Sequence, residues 1–316
     1  SCLDKLKELP KKSINTCITS PPYWGLRDYG EGEQLGLEET PEAFVENLVQ
    51  VFREVKRVLR DDGTVWLNLG DSYSSGGRNS QTTPTLRKKG QDEASGKQKY
   101  LNNFAVRPPA IKGIKPKDLI GIPWRVAFAL QQDGWYLRQD IIWHKPNPMP
   151  ESVKDRCTKA HEYIFLLSKS PKYYFDNEAI KEDSKYYGKD KRSDKGNIRY
   201  EGKRTSDKDS KAQQSFVTIN PKKNKRSVWT VTTKPFKGAH FATFPMDLIE
   251  PCVLAGCPEG GTVLDPFGGS GTTGIVASNH NRKAVLIELN TEYIEIARQR
   301  IQDQGGLFTD LEILGG

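Results

Sequence analysis

The sequence predicts an α/β protein built on a doubly wound, mostly parallel sheet. Short apolar runs of strand length alternate with segments of helical periodicity along most of its 316 residues, and such alternation places helices on both faces of a parallel sheet. Two polar stretches, 72–117 and 181–237, interrupt this pattern. We therefore expect one α/β domain, formed by residues 1–180 and 238–316, with 181–237 as an insertion.

The individual elements follow from local signals. The first strand is the apolar run 14–18. A helix is predicted from Thr40, because this N-cap residue precedes a proline and apolar residues then recur at helical spacing up to Leu59. We expect the turn-forming residues 61–63 to end that helix. Further strands are predicted at 64–69, 136–143 and 162–167, and further helices at 119–131, 247–255 and 291–301.

Residues 19–24 read Thr-Ser-Pro-Pro-Tyr-Trp and directly follow the first strand. Consecutive prolines cannot continue a sheet ladder, so the strand must end there. Ser20, Tyr23 and Trp24 are then presented at the carboxyl edge, where open α/β sheets bind their ligands. The alternative is a strand that simply ends in a turn.

Residues 262–274 read Thr-Val-Leu-Asp-Pro-Phe-Gly-Gly-Ser-Gly-Thr-Thr-Gly, a short strand running into a glycine-rich turn and a helix. The glycines at 269, 271 and 274 fit G-x-G-x-x-G, and Glu288 ends the next apolar run, where an acid can reach a ribose hydroxyl. This pattern predicts an adenosine-type cofactor, and a nicotinamide cofactor stays open. Because no Lys-Ser or Lys-Thr follows the glycines, an ATP-binding P-loop is excluded.

Together the two motifs resemble those of the S-adenosylmethionine-dependent DNA amino-methyltransferases. Residues 19–24 resemble the catalytic motif of that family, 265–273 its cofactor motif, and 240–245 the segment that packs on the methionine part of the cofactor. The catalytic motif comes first and the cofactor motif last, which is the order of the β group. Further similar segments are 121–125, 134–135 and 141–148.

The resemblance covers most of the chain and implies a Rossmann-like methyltransferase sheet with S-adenosyl-L-methionine as cofactor. The residues that it assigns to the cofactor are Thr243, Phe244, Pro245, Asp265, Phe267, Gly269, Ser270, Gly271, Thr272 and Glu288.

The catalytic motif suits methylation of a base amino group. An exocyclic amino nitrogen is a poor nucleophile, since its lone pair is delocalised into the ring. Two acceptors, the Ser20 hydroxyl and the Pro21 carbonyl, would bind the amino protons and localise that pair, so no strong general base is required. Pro21 and Pro22 fix the direction of neighbouring carbonyls, and Tyr23 can stack on a base that has left the duplex. Trp24 either stacks as well or belongs to the core.

The identity of the target base depends on Ser20. In the resembling family, serine at this position usually accompanies N4 methylation of cytosine, whereas Asp or Asn usually accompanies N6 methylation of adenine. Ser20 therefore favours the N4 of a flipped cytosine in duplex DNA, and adenine N6 is the alternative. Further alternatives are an RNA or protein-amide methyltransferase, a nicotinamide-dependent enzyme and a basic binding module without catalysis.

The charge distribution is consistent with a nucleic-acid substrate. The chain has a net charge of +8, and residues 181–237 contain 17 Lys and Arg against 7 Asp and Glu. Such a segment can neutralise phosphates and resembles the target-recognition region of the family; a solvated, partly disordered insertion is the alternative. The stretch 72–117 is either a DNA-contacting or a mobile loop. The candidate DNA contacts are Lys185, Lys191, Arg192, Arg199, Lys203, Arg204, Lys222, Lys223, Lys225 and Arg226.

The remaining features mostly narrow the range of functions. His161 and Glu162 begin like a zinc-binding helical motif, but Phe165 replaces its second histidine, so no metal is expected. Asp71 is a further candidate to contact cofactor or substrate, and Arg156 either binds a phosphate or pairs with Glu162.

No pattern indicates a membrane span or signal peptide. The five cysteines include no C-x-x-C pair, and we expect them to be reduced, buried thiols.

These features indicate an intracellular protein, cytoplasmic in a prokaryote or phage-infected cell and nuclear in a eukaryote. A cognate restriction endonuclease is a partner that the family allows and that the sequence does not show.

Overall fold

The computed structural model describes residues 1–25, 34–74, 114–184, 221–233, 244–304 and 311–315. The chain divides into two compact units. The main unit comprises residues 1–176 and 227–316, and the small unit comprises residues 177–226.

The described residues form six α-helices and ten strands, numbered in chain order. The helices are α1 (Cys2–Glu8), α2 (Pro41–Val58), α3 (Ile122–Gln132), α4 (Met246–Gly256), α5 (Thr272–Asn279) and α6 (Thr291–Gln304). The strands of the main unit are β1 (Ile14–Thr19), β2 (Leu59–Leu69), β3 (Tyr136–His144), β4 (His161–Ser168), β7 (Val228–Thr230), β8 (Thr262–Asp265), β9 (Lys283–Glu288) and β10 (Leu311–Gly315). Those of the small unit are β5 (Glu182–Asp183) and β6 (Lys222–Lys223).

The main unit contains an eight-stranded sheet in the order β10-β9-β8-β1-β2-β4-β3-β7. The strands from β10 to β2 are parallel, β4 is antiparallel to β2 and β3, and β7 is parallel to β3. The predicted doubly wound, mostly parallel sheet is confirmed. The direction of β4 has a local reason: the connection 145–160 contains three prolines and forms no helix, so it does not make the helical crossover that parallel neighbours usually require.

The two faces of the sheet are covered by different helices. Along β1 and β2, Cys17, Val65 and Leu67 belong to the apolar cluster that includes residues of α1, α2 and α3. The residues that lie between them along the two strands, such as Trp66, have side chains on the opposite face of the sheet, because side chains alternate across a strand. On that face Gly256 of α4 lies so close that a Cβ would be 2.5 Å from Trp66 Nε1.

Helix α2 begins as the sequence predicts and ends slightly earlier. The Thr40 side chain accepts a hydrogen bond from the Ala43 backbone N–H at 3.2 Å, and the apolar stripe is buried. The helix ends at Val58, and buried Leu59 already pairs with Ile14 of β1. Residues 61–63 therefore lie within β2, and the expectation that they end the helix was wrong because sheet pairing starts before them.

The small unit contains an antiparallel pair in which Glu182 lies opposite Lys223. The Glu182 carboxylate accepts a hydrogen bond from Arg226 at 2.6 Å and lies 3.4 Å from Lys223 Nζ. Residues 227–233, which fall within the predicted insertion 181–237, belong instead to the main unit, where buried Trp229 pairs with β3.

The five cysteines are free thiols, but they differ in exposure. Three of them are buried, Cys2 is half-buried and Cys157 is exposed, so the prediction of buried thiols was wrong for Cys157. Burial raises the pKa of the Cys257 thiol to about 12. None of the helices in the described parts of the chain has the length and apolar character that crossing a bilayer requires.

Candidate active site

The two sequence motifs meet at the carboxyl edge of the sheet, because β1 and β8 are parallel neighbours. Thr19 is the last residue of β1 and Asp265 the last of β8. The Thr19 hydroxyl donates a hydrogen bond to Asp265 Oδ1 at 2.6 Å, and both side chains are about 1% exposed. The Pro-Pro motif and the glycine-rich turn are therefore joined directly although they are 246 positions apart.

The Asp265 carboxylate also holds the turn that follows it. The Thr273 hydroxyl donates to Oδ2 at 2.6 Å, and the Phe267 backbone N–H donates to Oδ1 at 3.1 Å. Complete burial raises the pKa of Asp265 to about 6, although all three donors favour the ionised form. The carboxylate thus connects β1, the start of the turn and the first turn of α5.

The glycine-rich turn requires glycine at two positions. Gly269 and Gly271 have φ values of +51° and +79°, in the left-handed region that favours glycine. A Cβ at Gly271 would also lie 3.0 Å from Ala297 and from Ile301 of α6. The turn leads directly into α5, whose N-terminus presents backbone N–H groups at the same edge. Such an arrangement of glycines and a helix N-terminus lets a polar ligand approach the backbone closely.

Glu288 ends β9 beside this turn. Its Oε2 accepts a hydrogen bond from the Gly269 N–H at 2.7 Å, and its Oε1 accepts one from the Asn290 N–H at 2.9 Å. A carboxylate can accept about four hydrogen bonds. Half-buried Glu288 thus orders the turn from the end of β9 and places a carboxylate beside it.

Arg300 of α6 supports the same turn from outside. Its guanidinium donates to the backbone carbonyl and the hydroxyl of Ser270, and lies 3.3 Å from the Thr272 hydroxyl. Burial lowers the pKa of Arg300. Sequence reasoning missed this residue, because nothing separates it from the other charged residues of α6.

The segment before α4 reaches the same edge. Gly256, at the C-terminal end of α4, lies by Thr16, and a few residues later the Thr262 N–H donates a hydrogen bond to Asn15 Oδ1 near the start of β1. Helix α4 therefore ends toward the amino edge of the sheet and runs antiparallel to β1. Its N-terminus, with half-buried Phe244 and buried Pro245, consequently lies toward the carboxyl edge. Thr243, the third residue predicted in this segment, is outside the described residues.

Of the residues that follow β1, some are candidate active-site residues and one belongs to the hydrophobic core. Half-buried Ser20 follows Thr19 directly, and within the described part of the chain its hydroxyl has no hydrogen-bond partner. Pro21 is buried and Pro22 half-buried. Trp24 is 4% exposed and donates its indole N–H to the Glu38 carbonyl at 2.9 Å. Trp24 thus belongs to the core, the second of its two predicted roles.

Tyr23 is held at both its ring and its hydroxyl. A Cβ on Gly70 would lie 2.5 Å from Tyr23 Cε2, so the ring packs directly against the backbone after β2. The Tyr23 hydroxyl donates to Glu162 Oε2 at 2.7 Å and lies 3.4 Å from Asn68 Oδ1. Lys145, which follows β3, forms an ion pair with the other oxygen of Glu162.

Sequence reasoning did not place Asn68, Lys145 and Glu162 in the site. Asn68 and Glu162 lie near the ends of the largely buried strands β2 and β4, which was a usable signal, because polar side chains there need partners; Lys145 directly follows β3, which is only partly buried. Their convergence on Tyr23 depends on the antiparallel direction of β4, which brings its first residues to the carboxyl edge. The apolar pattern of a strand does not reveal its direction.

Two other candidates have structural partners. Asp71 Oδ1 accepts hydrogen bonds from the backbone N–H groups of Gly121 and Ile122, at 2.9 and 3.2 Å, and so caps α3. Arg156 pairs with Glu151 and lies 3.8 Å from the centroid of the Tyr73 ring. Of the two predictions for Arg156, pairing with Glu162 was therefore wrong.

The predicted DNA contacts are only partly described. Lys222, Lys223, Lys225 and Arg226 lie in the small unit, where Glu182 pairs with two of them. The candidates outside the described residues are Lys185, Lys191, Arg192, Arg199, Lys203 and Arg204.

Comparison with known proteins identifies the family. The sequence model described as N6_N4_Mtase, DNA methylase, matches residues 14–299. The Type II methyltransferase M.Cfr9I of Citrobacter freundii is 50% identical over 302 residues, which cover 96% of this chain and 86% of that protein. The Type II methyltransferase M.SmaI of Serratia marcescens is 49% identical over 298 residues, covering 94% and 87%.

Solved structures have the same fold. The PvuII DNA methyltransferase, described as cytosine-N4-specific, aligns with a TM-score of 0.60 at 18% identity and covers 98% of this chain and 92% of its own. The TTHA0409 protein of Thermus thermophilus, solved with S-adenosyl-L-methionine, has a TM-score of 0.58 at 22% identity, with 99% and 96% covered. The family match over most of the sequence, together with relatives of about 50% identity, shows that the chain belongs to the N6_N4_Mtase family of DNA methylases.

Proposed function

We propose that the protein is a site-specific DNA methyltransferase that transfers a methyl group from S-adenosylmethionine to the exocyclic N4 of a cytosine flipped out of duplex DNA. The observation that carries this proposal is the 2.6 Å hydrogen bond from Thr19 to Asp265. Through it, Ser20 and Pro21 are held beside the glycine-rich turn at one edge of the sheet. An amino group bound by the first motif and a cofactor bound by the second are thereby brought together.

The residues around the turn fit S-adenosylmethionine. Glu288 places a carboxylate, a good acceptor for ribose hydroxyls, beside the turn, and Gly269 and Gly271 let the chain turn tightly into the N-terminus of α5. Phe244 and Pro245, before α4, supply apolar surface at the same edge. When bound, the cofactor supplies an electrophilic methyl group on a sulfonium. The crystal structure of the similar TTHA0409 protein in complex with S-adenosyl-L-methionine supports the assignment of this cofactor.

The reacting amino group is proposed to donate hydrogen bonds to the Ser20 hydroxyl and to the Pro21 backbone carbonyl. Both accept its protons, which favours a tetrahedral nitrogen with a localised lone pair that can attack the methyl carbon. Because the hydroxyl of Ser20 has no partner among the described residues, it is available to accept such a bond. As the nitrogen bonds to the methyl carbon, the methyl–sulfur bond would break with its electron pair on sulfur, and the methylated nitrogen, now strongly acidic, would release its extra proton to solvent water. A strong base is therefore unnecessary. Tyr23 supplies the face on which the flipped base stacks.

Cytosine is preferred over adenine because of Ser20. A hydroxyl is a weaker acceptor than a carboxylate, yet it can bind an amino group. The cytosine-N4-specific description of the similar PvuII enzyme supports this preference. Adenine N6 is the competing target. The Type II methyltransferase relatives further suggest that a cognate restriction endonuclease accompanies the enzyme.

The proposal is tested by label transfer. Purified protein is incubated with S-adenosylmethionine labelled on the methyl group and with either unmethylated bacterial DNA or RNA, and the nucleosides are separated after digestion. We expect label only in DNA, as N4-methyldeoxycytidine, with incorporation at least tenfold slower in the control variant Ser20→Ala. Label in RNA, or in N6-methyldeoxyadenosine alone, would contradict the proposal.

A further inference from the structure

The Tyr23 hydroxyl is hydrogen-bonded to a network of polar side chains whose other members lie outside the two sequence motifs. Glu162 Oε2 accepts a hydrogen bond from the Tyr23 hydroxyl at 2.7 Å and lies 3.4 Å from the Asn68 side-chain nitrogen. Asn68 is fixed in turn, because its amide donates to the Tyr163 carbonyl at 3.0 Å. The network thus connects the residue after the Pro-Pro pair to β2 and β4.

Glu162 is held in place by partners on both of its carboxylate oxygens. Its Oε1 is paired with Lys145, and the two side chains are only 15% and 19% exposed. The Lys145 ammonium also lies 4.2 Å from the centroid of the Trp143 ring, which fixes its position. Both carboxylate oxygens of Glu162 therefore already have a partner, the Lys145 ammonium on one and the Tyr23 hydroxyl on the other.

We propose that Glu162 is a positioning residue that fixes the plane of the Tyr23 ring before the base arrives. The ring is held from two directions, by its hydroxyl on Glu162 and by the Gly70 backbone against one edge. Lys145 keeps the Glu162 carboxylate in place and balances its charge. This inference rests on the proposed function, in which Tyr23 stacks on the flipped base.

A ring that is already oriented loses less conformational freedom when a base stacks on it. Releasing the hydroxyl should therefore weaken capture of the flipped base more than it changes the cofactor site. A hydrogen bond to a carboxylate is strong enough that its loss can change such an equilibrium about tenfold. The bond acts through Tyr23, so removing either partner should have a similar effect.

The test uses the full-length chain and a duplex that contains its recognition sequence, with fluorescent 2-aminopurine in place of the target base. Tyr23→Phe, Glu162→Gln and the double variant are compared for base-flipping fluorescence and for kcat and KM on unmodified DNA. We expect each single substitution to weaken flipping and raise the KM for DNA about tenfold. The double variant should be within about twofold of Tyr23→Phe alone, because coupled partners are not additive.

Two controls distinguish loss of Tyr23 positioning from a general loss of the folded structure. Binding of S-adenosylmethionine, measured by calorimetry, should stay within about twofold of wild type in every variant. Glu151→Gln removes a comparably half-buried acid, paired with Arg156, and should leave flipping unchanged. If Glu162→Gln fails to fold, Tyr23→Phe still decides the matter, because it removes only the hydroxyl.

The outcomes distinguish this inference from the proposed function. Wild-type flipping and kinetics in Tyr23→Phe would overturn the inference, as would an equal loss from Glu162→Gln in the presence and absence of the Tyr23 hydroxyl. Failure of the wild-type protein to methylate any DNA would instead overturn the proposed function.

Discussion

Replacing Thr19 by valine tests the bond that joins the two motifs. Valine has nearly the same shape as threonine, and Thr19 is 1% exposed, so the change removes the hydroxyl while keeping the volume. The lost bond is the one of 2.6 Å to Asp265. A hydrogen bond to a charged group contributes about 1.5–3 kcal/mol, and one to a neutral group about 0.5–1.5 kcal/mol. The cost should therefore depend on the ionisation of Asp265.

The pH dependence has a definite sign. The folded pKa of Asp265, about 6, lies above its ordinary value of 3.8, so its contribution to stability is complete below pH 3.8 and is lost as the pH rises through 6. Thr19→Val removes a donor that favours the ionised form, so this pKa rises further. We expect the free energy of unfolding to fall by about 1 kcal/mol near pH 5 and about 2 kcal/mol near pH 8.

Urea unfolding of wild type and variant at the two pH values measures this difference. Thr64→Val is the matched control, because the buried Thr64 hydroxyl lies 2.9 Å from that of Thr16, a neutral partner. Its loss should be the same at both pH values. An equal cost for Thr19→Val near pH 5 and pH 8 would refute the reasoning, since it would mean that the hydroxyl does not stabilise an ionised Asp265.

Three further substitutions test the site. Ser20→Ala should lower kcat at least tenfold, with cofactor affinity within about twofold of wild type, because the proposed bond forms to the target amino group; unchanged turnover would remove Ser20 from the mechanism. Glu288→Ala should weaken binding of S-adenosylmethionine at least tenfold in calorimetry, because a charged acceptor is lost, and unaltered affinity would place the ribose elsewhere. Gly70→Ala should displace the Tyr23 ring, since the new Cβ would lie 2.5 Å from it; methylation at the wild-type rate would show that the ring position is unimportant.

Local patterns were sufficient to predict most of the sheet and both motifs. The Thr40 cap, the Pro-Pro stop after β1 and the glycine-rich turn after β8 each depend on neighbouring residues, so they can be recognised from the sequence alone. Parallel neighbours bring their carboxyl ends to one edge, so Thr19 and Asp265, the last residues of β1 and β8, meet there. Their hydrogen bond supports that reasoning at atomic detail.

Contacts set by the tertiary structure were not predictable in the same way. Glu162 reaches Tyr23 only because β4 runs antiparallel, and the period-two pattern of a strand is the same in both directions. Asp71 was a candidate for contact with cofactor or substrate, and its cap on α3, whose first residues come about 50 positions later, was not predicted. The exposure of Cys157 likewise depends on the loop between β3 and β4, which has no periodic pattern.

The central claim is that the enzyme methylates N4 of cytosine at a defined site in duplex DNA. The most direct measurement is sequencing of DNA from cells that express the protein, by a method that distinguishes N4-methylcytosine from N6-methyladenine. We predict N4-methylcytosine at one recurring sequence, with a smaller methylated fraction of those sites in cells that express Ser20→Ala at the same level. N6-methyladenine alone, or no modified base in DNA from cells with soluble wild-type protein, would contradict the claim.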